Sequence, residues 1–300
     1  MMKMICHGVS FVQMTQLCSR SFCHTHHSIT EHYPRPISTV CFKKISNISI
    51  ISINRPNKRN AIDSETLEEL QKNIEIFEDD RHSPCAILHG QGGNFSAGFD
   101  LKELYERHNT HIFENFRKFL QRPAKKPIIA AVNGYAVGQG LDLALWCDLR
   151  FVEDNALLGF YNKRFAIPTC DVTIMRLKHM IGASRTMSLI LDGKHISSRE
   201  ALDWGLSTKM VSCGTAIGEA VNKAMKLSNV DQDALLADRA TLLSQCTLSD
   251  DKVSPNSILN TELFLKNSQP IIEQFVKRQY GRHGLFRNPF YEDNLDFLHS

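Results

Sequence analysis

The 300-residue sequence has no C-x-x-C pair, no G-K-[S/T] triplet and no uninterrupted apolar run of about 18 residues. Without the triplet there is no P-loop, and without the apolar run there is no typical membrane span. The nine cysteines are an odd number in isolated positions, which favours reduced thiols. A formal net charge of only +3, with acidic and basic residues interspersed, gives no sign of a nucleic-acid-binding surface. We therefore predict a globular protein with neither nucleic-acid nor membrane partners.

Acidic residues are absent from the first 30 positions, where Lys3 and Arg20 are the basic residues among several serines and threonines. This composition is typical of mitochondrial transit peptides, although a simple disordered leader has the same features. We predict that residues 1–37 are such a leader and that the protein resides in the mitochondrial matrix, with the cytoplasm as the alternative.

The same N-terminal region holds a cluster of metal-ligand residue types. They are Cys23, His24, His26 and His27. A metal site needs ligands that are fixed in geometry, and no predicted element holds these residues. We predict no metal site.

Hydrophobic periodicity predicts alternating strands and helices from about residue 40 onward. The alternation of Ile with Ser and Asn in "ISIISINRP" predicts a half-buried strand. An amphipathic helix is predicted from Ser64, and Ser197 with Glu200 has the spacing of a capping box. The other predicted elements are strands over 85–90, 128–133 and 148–152, a helix over 111–121, and mostly helical structure after residue 170. This order indicates an α/β layer arrangement with crossover connections.

Two glycine-containing loops each follow a predicted strand and lead into a predicted helix. They read "GGNFSAGFDLKEL" (92–104) and "AVNGYAVGQGLDLALWCD" (131–148). The second loop lacks the last small residue of a dinucleotide-binding G-x-G-x-x-G turn, and close packing of a helix on a strand is the simplest explanation of one such loop alone. Two such loops can aim two backbone N–H groups at one point. With the nearby carboxylate of Asp142, they form the minimum apparatus for stabilising an enolate or another oxyanion.

The sequence resembles the crotonase (enoyl-CoA hydratase/isomerase) superfamily. The resemblance covers roughly residues 40–290 and rests on motifs that occur in the family's order. They are "INRPNKRNAI", "NFSAGFDLKEL", "AVNGYAVGQGLDLALWCDLRF" and "GKHISSREALDWGLSTKMV". Within the family, "KRFAIPTCD" and "GRHG" are most similar to bacterial-type enoyl-CoA hydratases.

The resemblance implies an α/β fold, the ClpP-like crotonase spiral of β-β-α units, followed by a helical C-terminal region. We place the core at residues 38–230 and the C-terminal helical region at residues 231–300. It further implies a homotrimer or a dimer of trimers, and an acyl thioester of coenzyme A as substrate. Coenzyme A is then part of the substrate, and we predict no separate cofactor.

The resemblance also implies site residues, position by position. The backbone N–H groups of Phe99 and Gln139 match the family's oxyanion hole, and Asp142 matches the first of two catalytic glutamates. The expected positions for binding the acyl-CoA are Lys58, Arg59, Ala61, Ala97, Gly98, Phe99, Gly138 and Tyr161. A further cation from the last helices is expected at Lys277 or Arg278.

The sequence departs from the family at the second catalytic glutamate, which Tyr161 replaces. A tyrosine has a pKa near 10 and is no resting carboxylate base. Asp171 can supply the missing carboxylate, although a helix N-cap explains it equally well. Asp142 can likewise cap or pair at a helix start, and Tyr161 can be a core aromatic.

We predict an enoyl-CoA hydratase-like lyase that works through an enolate held by Phe99 and Gln139, with Asp142 and Asp171 as catalytic acids. An enoyl-CoA isomerase or other single-acid acyl-CoA enzyme is the first alternative. A catalytically inactive coenzyme A-binding homologue is the second, since the second glutamate is absent.

Overall fold

The computed structural model describes residues 38–107, 111–193, 195–246 and 261–277. The predicted leader, the Cys23–His27 cluster, Arg278 and the "GRHG" segment lie outside the described residues. Nine strands occur in the described part: β1 (Val40–Ile45), β2 (Ile48–Ile53), β3 (Cys85–Gly90), β4 (Ile128–Val132), β5 (Tyr135–Val137), β6 (Leu149–Glu153), β7 (Leu157–Gly159), β8 (His195–Ser197) and β9 (Lys209–Val211).

The α-helices of the same ranges follow the strands in a regular order. They are α1 (Ser64–Asp79), α2 (Leu101–Arg107), α3 (His111–Gln121), α4 (Gln139–Trp146), α5 (Asp171–Asp192), α6 (Ser198–Asp203), α7 (Ala216–Ser228), α8 (Gln232–Cys246) and α9 (Thr261–Val276). Two short 3-10 helices span Pro56–Lys58 and Tyr161–Phe165.

The strands form two sheets that are built from β-β-α units. The larger sheet has the order β1-β2-β3-β4-β6-β9, and the smaller has the order β5-β7-β8. In the larger sheet β1 pairs antiparallel with β2, and the other neighbours are parallel. In the pairs β4–β5 and β6–β7, the first strand lies in the larger sheet and the second in the smaller sheet, and a helix follows each pair. The predicted α/β crotonase spiral with a helical C-terminal region is confirmed.

Strand β2 corrects one sequence prediction. All six of its residues are buried, so the predicted half-buried strand is wrong. A parallel sheet is covered on both faces, and the serines of β2 are satisfied by buried partners on neighbouring segments. Ser49 Oγ lies 2.7 Å from Ser83 Oγ, and Ser52 Oγ lies 2.6 Å from Nε2 of His89.

Most predicted helices and strands are confirmed, and four strands were missed: β1, β5, β7 and β8. Helix α1 begins at Ser64, α3 spans the predicted residues, and Ser197 with Glu200 forms the predicted capping box. Strand β1 was missed because its outward residues include two lysines, and β8 because it has only three residues.

The C-terminal helices pack against the core of their own chain. In α8, Arg239 forms an ion pair with Asp148, with Nε 2.8 Å from Oδ1. In α9, the Gln269 side chain donates to the carbonyl of Leu104 in α2 at 3.0 Å. The proposed boundary at residue 230 stays a prediction. Across the described helices, none combines the length and apolar character needed to cross a membrane.

Candidate functional site

The two glycine-containing loops are held together by backbone hydrogen bonds. Ser96 N–H donates to the Tyr135 carbonyl at 2.9 Å, and Val137 N–H donates to the Ser96 carbonyl at 3.1 Å. Gly140 permits the close approach, because a β-carbon there would lie 2.3 Å from the Ser96 carbonyl oxygen. The loops therefore form one rigid unit at the start of α4.

Phe99 N–H is directed toward the second loop. The neighbouring backbone groups pair on the opposite side, where Ile62 N–H donates to the Gly98 carbonyl at 2.7 Å and Asp100 N–H donates to Ile62 at 2.8 Å. Because peptide groups alternate in direction along an extended chain, Phe99 N–H points away from Ile62. It donates to Oε1 of Gln139 at 3.4 Å.

Gln139 is the first residue of α4, and its backbone lies beside the first loop. The first N–H groups of a helix have no intrahelical acceptor. A β-carbon on Gly98 would lie 3.1 Å from the Gln139 backbone nitrogen. Gly98 has φ of 89° and Gly138 has φ of 56°, values that glycine adopts without strain. The structure thus brings Phe99 and Gln139 together across the two loops.

Asp142 lies on α4 one turn after Gln139 and is completely buried. Within the described ranges, neither of its carboxyl oxygens has a hydrogen-bond partner, and the same holds for Thr173 Oγ1 and Arg176 Nη1. Burial raises the pKa of Asp142 from its usual value of 3.8 to about 7, and Thr173 and Arg176 offset this effect only in part. A buried carboxyl group that titrates near neutrality suits proton transfer. Thr173 and Arg176 were missed by sequence reasoning because they lie on a different helix.

We predict that Asp142→Asn stabilises the protein in a pH-dependent way. Because the pKa of Asp142 is raised in the folded state, the carboxyl group of the unfolded chain ionises first as pH rises above about 4. The free energy of unfolding therefore falls between about pH 4 and about pH 7. The free energy of unfolding gained by Asp142→Asn should therefore be small at pH 4. It should grow by about 1.4 kcal/mol per pH unit and level off near 4 kcal/mol above pH 7. Urea titrations at several pH values measure it.

Asp171 provides a control of opposite sign, because its pKa is lowered in the folded protein. Its replacement by Asn should reduce stability at neutral pH. A pH-independent difference between the parent and Asp142→Asn would show that the Asp142 pKa is not raised.

Tyr161 lies in the 3-10 helix that passes next to the second loop. Its hydroxyl is 2.7 Å from Nδ1 of His195, and the Arg164 guanidinium stacks 3.8 Å from its ring centre. Burial raises the pKa of Tyr161, so the phenol is neutral. The adjacent Asn162 lies against Gly138, where a β-carbon would be 3.8 Å from the Asn162 side chain. The Tyr161 side chain therefore lies in a polar cluster with His195 and Arg164.

Asp171 is the first residue of α5 and forms a two-pronged ion pair with Arg117. Arg117 Nε lies 2.9 Å from Oδ1 and Nη2 lies 2.9 Å from Oδ2. The carboxylate also accepts the Val172 N–H at 2.9 Å, and the helix is preceded by Cys170 without a side-chain cap. The N-cap interpretation of Asp171 is thus wrong. Although partial burial of Asp171 opposes ionisation, its bonds to Arg117, Val172 N–H and Cys170 lower the pKa overall, and the carboxylate stays ionised.

The basic segment around Lys58 and Arg59 is attached to the first loop. Ala97 N–H donates to the Arg59 carbonyl at 3.0 Å, and Ser96 Oγ donates to the Asn60 carbonyl at 2.8 Å. The Lys58 and Arg59 side chains are exposed, whereas Ala61 is buried. The backbone that carries these two exposed cations is therefore held against the first loop.

The expected contribution of the last helix concerns Lys277, which is exposed and pairs with Glu273 one turn earlier. Among the described residues, no hydrogen bond or ion pair joins Lys277 to either of the two loops. In the described ranges, no group of three or more His, Cys, Asp or Glu residues is placed to hold a metal ion.

Comparisons with known proteins agree with this geometry. The family model described as enoyl-CoA hydratase/isomerase matches residues 43–266. A short-chain-enoyl-CoA hydratase of Clostridium acetobutylicum is 31% identical over 72% of this chain and 92% of its own length. A mitochondrial enoyl-CoA hydratase of Pongo abelii is 33% identical over 62% of this chain and 65% of its own length.

The solved structures include an enoyl-CoA hydratase from Mycobacterium tuberculosis that is 27% identical to this chain. It superimposes with a TM-score of 0.66 over 81% of this chain and 97% of that protein. The fold, the paired loops and these matches lead to one conclusion. The chain belongs to the enoyl-CoA hydratase/isomerase family, within the crotonase superfamily.

Proposed function

We propose that the protein is an enoyl-CoA hydratase-like enzyme that uses Asp142 as its acid and base. The observation that carries the proposal is the buried Asp142 carboxyl group, which lacks a hydrogen-bond partner in the described ranges and has a pKa of about 7. It lies one helical turn from Gln139, which contacts Phe99. The hydratases named among the relatives support an acyl-CoA substrate.

In the proposed reaction, the thioester oxygen accepts hydrogen bonds from the backbone N–H groups of Phe99 and Gln139. Ionised Asp142 takes a proton from water while the water oxygen bonds to carbon 3 of the enoyl group. The electrons of the double bond move onto the thioester oxygen, and the two N–H groups stabilise the resulting enolate. Protonated Asp142 then delivers its proton to carbon 2. Coenzyme A enters and leaves as part of substrate and product, so no separate cofactor takes part.

The basic segment suits the coenzyme A part of the substrate. Lys58 and Arg59 offer charges for phosphate groups, and Ala61 offers its backbone to the adenine. Ala97, Gly98 and Gly138 line the approach to the two N–H donors. The attachment of the Arg59 segment to the first loop supports this assignment, because it holds the backbone of Lys58 and Arg59 next to the loop that carries Phe99.

Isomerisation of an enoyl-CoA is the second candidate, favoured by the position of Tyr161. Tyr161 stands where the family has its second glutamate, and its hydroxyl contacts His195. That position therefore gives Asp142 no second carboxylate. One acid can remove a proton next to the thioester and return it two carbons further along the chain. Hydration needs a positioned water in addition.

Turnover of crotonyl-CoA by the purified chain tests the proposal. It is measured as the loss of the absorbance of the conjugated enoyl thioester. Exchange of the carbon 2 hydrogen of butyryl-CoA in D₂O tests enolate formation separately. Exchange without hydration would favour the isomerase. Binding of butyryl-CoA without either reaction would establish an inactive coenzyme A-binding homologue and overturn the proposal.

Asp171 is the acid whose role needs a separate test. We expect Asp171→Asn to lower the free energy of unfolding by about 1–2 kcal/mol, because it breaks a charge-assisted pair with Arg117 that is partly exposed. The pH dependence of turnover should be unchanged if Asp142 alone moves the proton. If the pH profile of turnover lost its acidic or its basic limb in Asp171→Asn, Asp171 would instead be assigned to proton transfer.

The proposed location is the mitochondrial matrix, supported by the acid-poor N-terminal composition and by the mitochondrial relative. A fluorescent reporter carrying residues 1–37 should enter mitochondria. A diffuse cytosolic signal would contradict this location and support the cytoplasmic alternative.

The proposed assembly is a trimer or a dimer of trimers. Met187 and Leu191 are exposed one turn apart on α5 and form an apolar surface that a subunit contact would cover. Light scattering should give three or six chain masses, and a single chain mass would contradict the assembly.

A further inference from the structure

We infer that the Gln139 side chain occupies the oxyanion position of the free protein and competes with the substrate carbonyl. Its Oε1 accepts the Phe99 N–H at 3.4 Å, and the residue is only 5% exposed. A primary amide carbonyl presents the same kind of acceptor as a thioester carbonyl. The inference rests on the proposed function, since it requires that Phe99 N–H binds a thioester oxygen.

The position of Oε1 is defined by the second loop as well as by Phe99. A β-carbon on Gly98 would lie 3.1 Å from Oε1 and 3.1 Å from the backbone nitrogen of Gln139. The side-chain oxygen and the backbone N–H of the same residue are therefore both next to Gly98. One acceptor atom thus accepts the Phe99 N–H and lies, like the Gln139 backbone nitrogen, against Gly98.

The contact has a physical cause in the free protein. Phe99 is buried, and a buried N–H without an acceptor is unfavourable. The Gln139 amide supplies the acceptor from within the chain. The N···O distance of 3.4 Å marks a long, weak bond, so an incoming carbonyl can replace it.

Competition of this kind lowers the apparent affinity for substrate. Only molecules whose Gln139 side chain has moved away can bind the thioester oxygen, so the apparent dissociation constant is the intrinsic one divided by that fraction. The loss of one neutral hydrogen bond corresponds to about 3- to 10-fold in affinity.

Calorimetric titration of butyryl-CoA into a set of Gln139 variants tests the inference. Gln139→Met keeps the length of the side chain but removes the acceptor, and Gln139→Ala removes both. Both variants retain the backbone N–H, and we expect both to bind about 3- to 10-fold more tightly than the parent chain. Gln139→Glu, titrated at pH 8, should bind several-fold more weakly, because an ionised acceptor holds the Phe99 N–H more strongly.

Unchanged or weaker binding by both Gln139→Met and Gln139→Ala would overturn the inference. The failure of the proposed function is recognised separately, by the turnover and exchange assays on the parent chain. If the chain does not bind acyl-CoA at all, neither the parent nor any variant binds butyryl-CoA. A readout without ligand remains in that case. In protein labelled with ¹⁵N-phenylalanine, the Phe99 amide should exchange with solvent faster in Gln139→Met than in the parent. An unchanged exchange rate would show that Gln139 does not hold this N–H.

Discussion

Asp142→Asn is expected to lower the turnover of crotonyl-CoA by about 10²- to 10⁴-fold, the usual contribution of a positioned acid or base. Asparagine has nearly the shape of aspartate, but it can neither accept the proton of water nor return one to carbon 2. Because the carboxyl group has neither a hydrogen-bond partner nor an ion pair in the described part of the chain, its replacement removes only its electrostatic interactions with Thr173 and Arg176. Butyryl-CoA should therefore bind within about threefold of the parent value, so the loss falls on kcat.

Two controls separate the acid from the volume of the side chain. Asp142→Glu restores a carboxyl group one methylene longer and should recover part of the lost rate. For the parent, kcat/KM should rise with pH, reach half of its maximum near pH 7 and level off about one pH unit higher, because the base must be ionised to act. Near-parental turnover by Asp142→Asn, or a kcat/KM that is flat from pH 5 to 9, would remove Asp142 from the mechanism.

Gly140→Ala is expected to disrupt both the stability and the activity of the protein. Its β-carbon would lie 2.3 Å from the Ser96 carbonyl oxygen and 2.8 Å from the Ser96 β-carbon. Much of the obstruction is backbone, so the two loops must separate rather than repack a side chain. We expect a loss of about 3 kcal/mol or more and a fall in Tm of about 6–12 °C. Turnover should also fall, because the Phe99 and Gln139 donors lose their relative position.

Gly218→Ala is the matched control for this substitution. Gly218 lies in α7, and a β-carbon there would meet nothing within 4 Å. Alanine in a helix is favoured over glycine by up to about 1 kcal/mol, so Gly218→Ala should leave activity unchanged and raise Tm slightly. Equal Tm values for Gly140→Ala and the parent would contradict the close contact of the two loops.

The sequence by itself determined the local structure and the family. The periodicity of α1 and α3 and the capping box at Ser197 depend on neighbours within a few residues, so they can be predicted without the fold. The order of the two glycine-containing loops was also readable, because a strand, a tight turn and a helix are each encoded locally. The burial of the serines in β2 could not be predicted from the sequence, because it depends on what covers each face of the sheet.

Only the tertiary structure decided which chemical groups meet. Gln139 reaches Phe99 across 40 residues, Tyr161 reaches His195 across 34, and Arg117 reaches Asp171 across 54. The same packing buries Asp142, which raises its pKa, and places Thr173 and Arg176 beside it, which offset part of that rise. Burial and pairing set the ionisation of an acid, and both arise from elements that are distant in the chain. The sequence therefore named the candidate acids, and the packing of α4 against α5 separated the uncommitted Asp142 from the ion-paired Asp171.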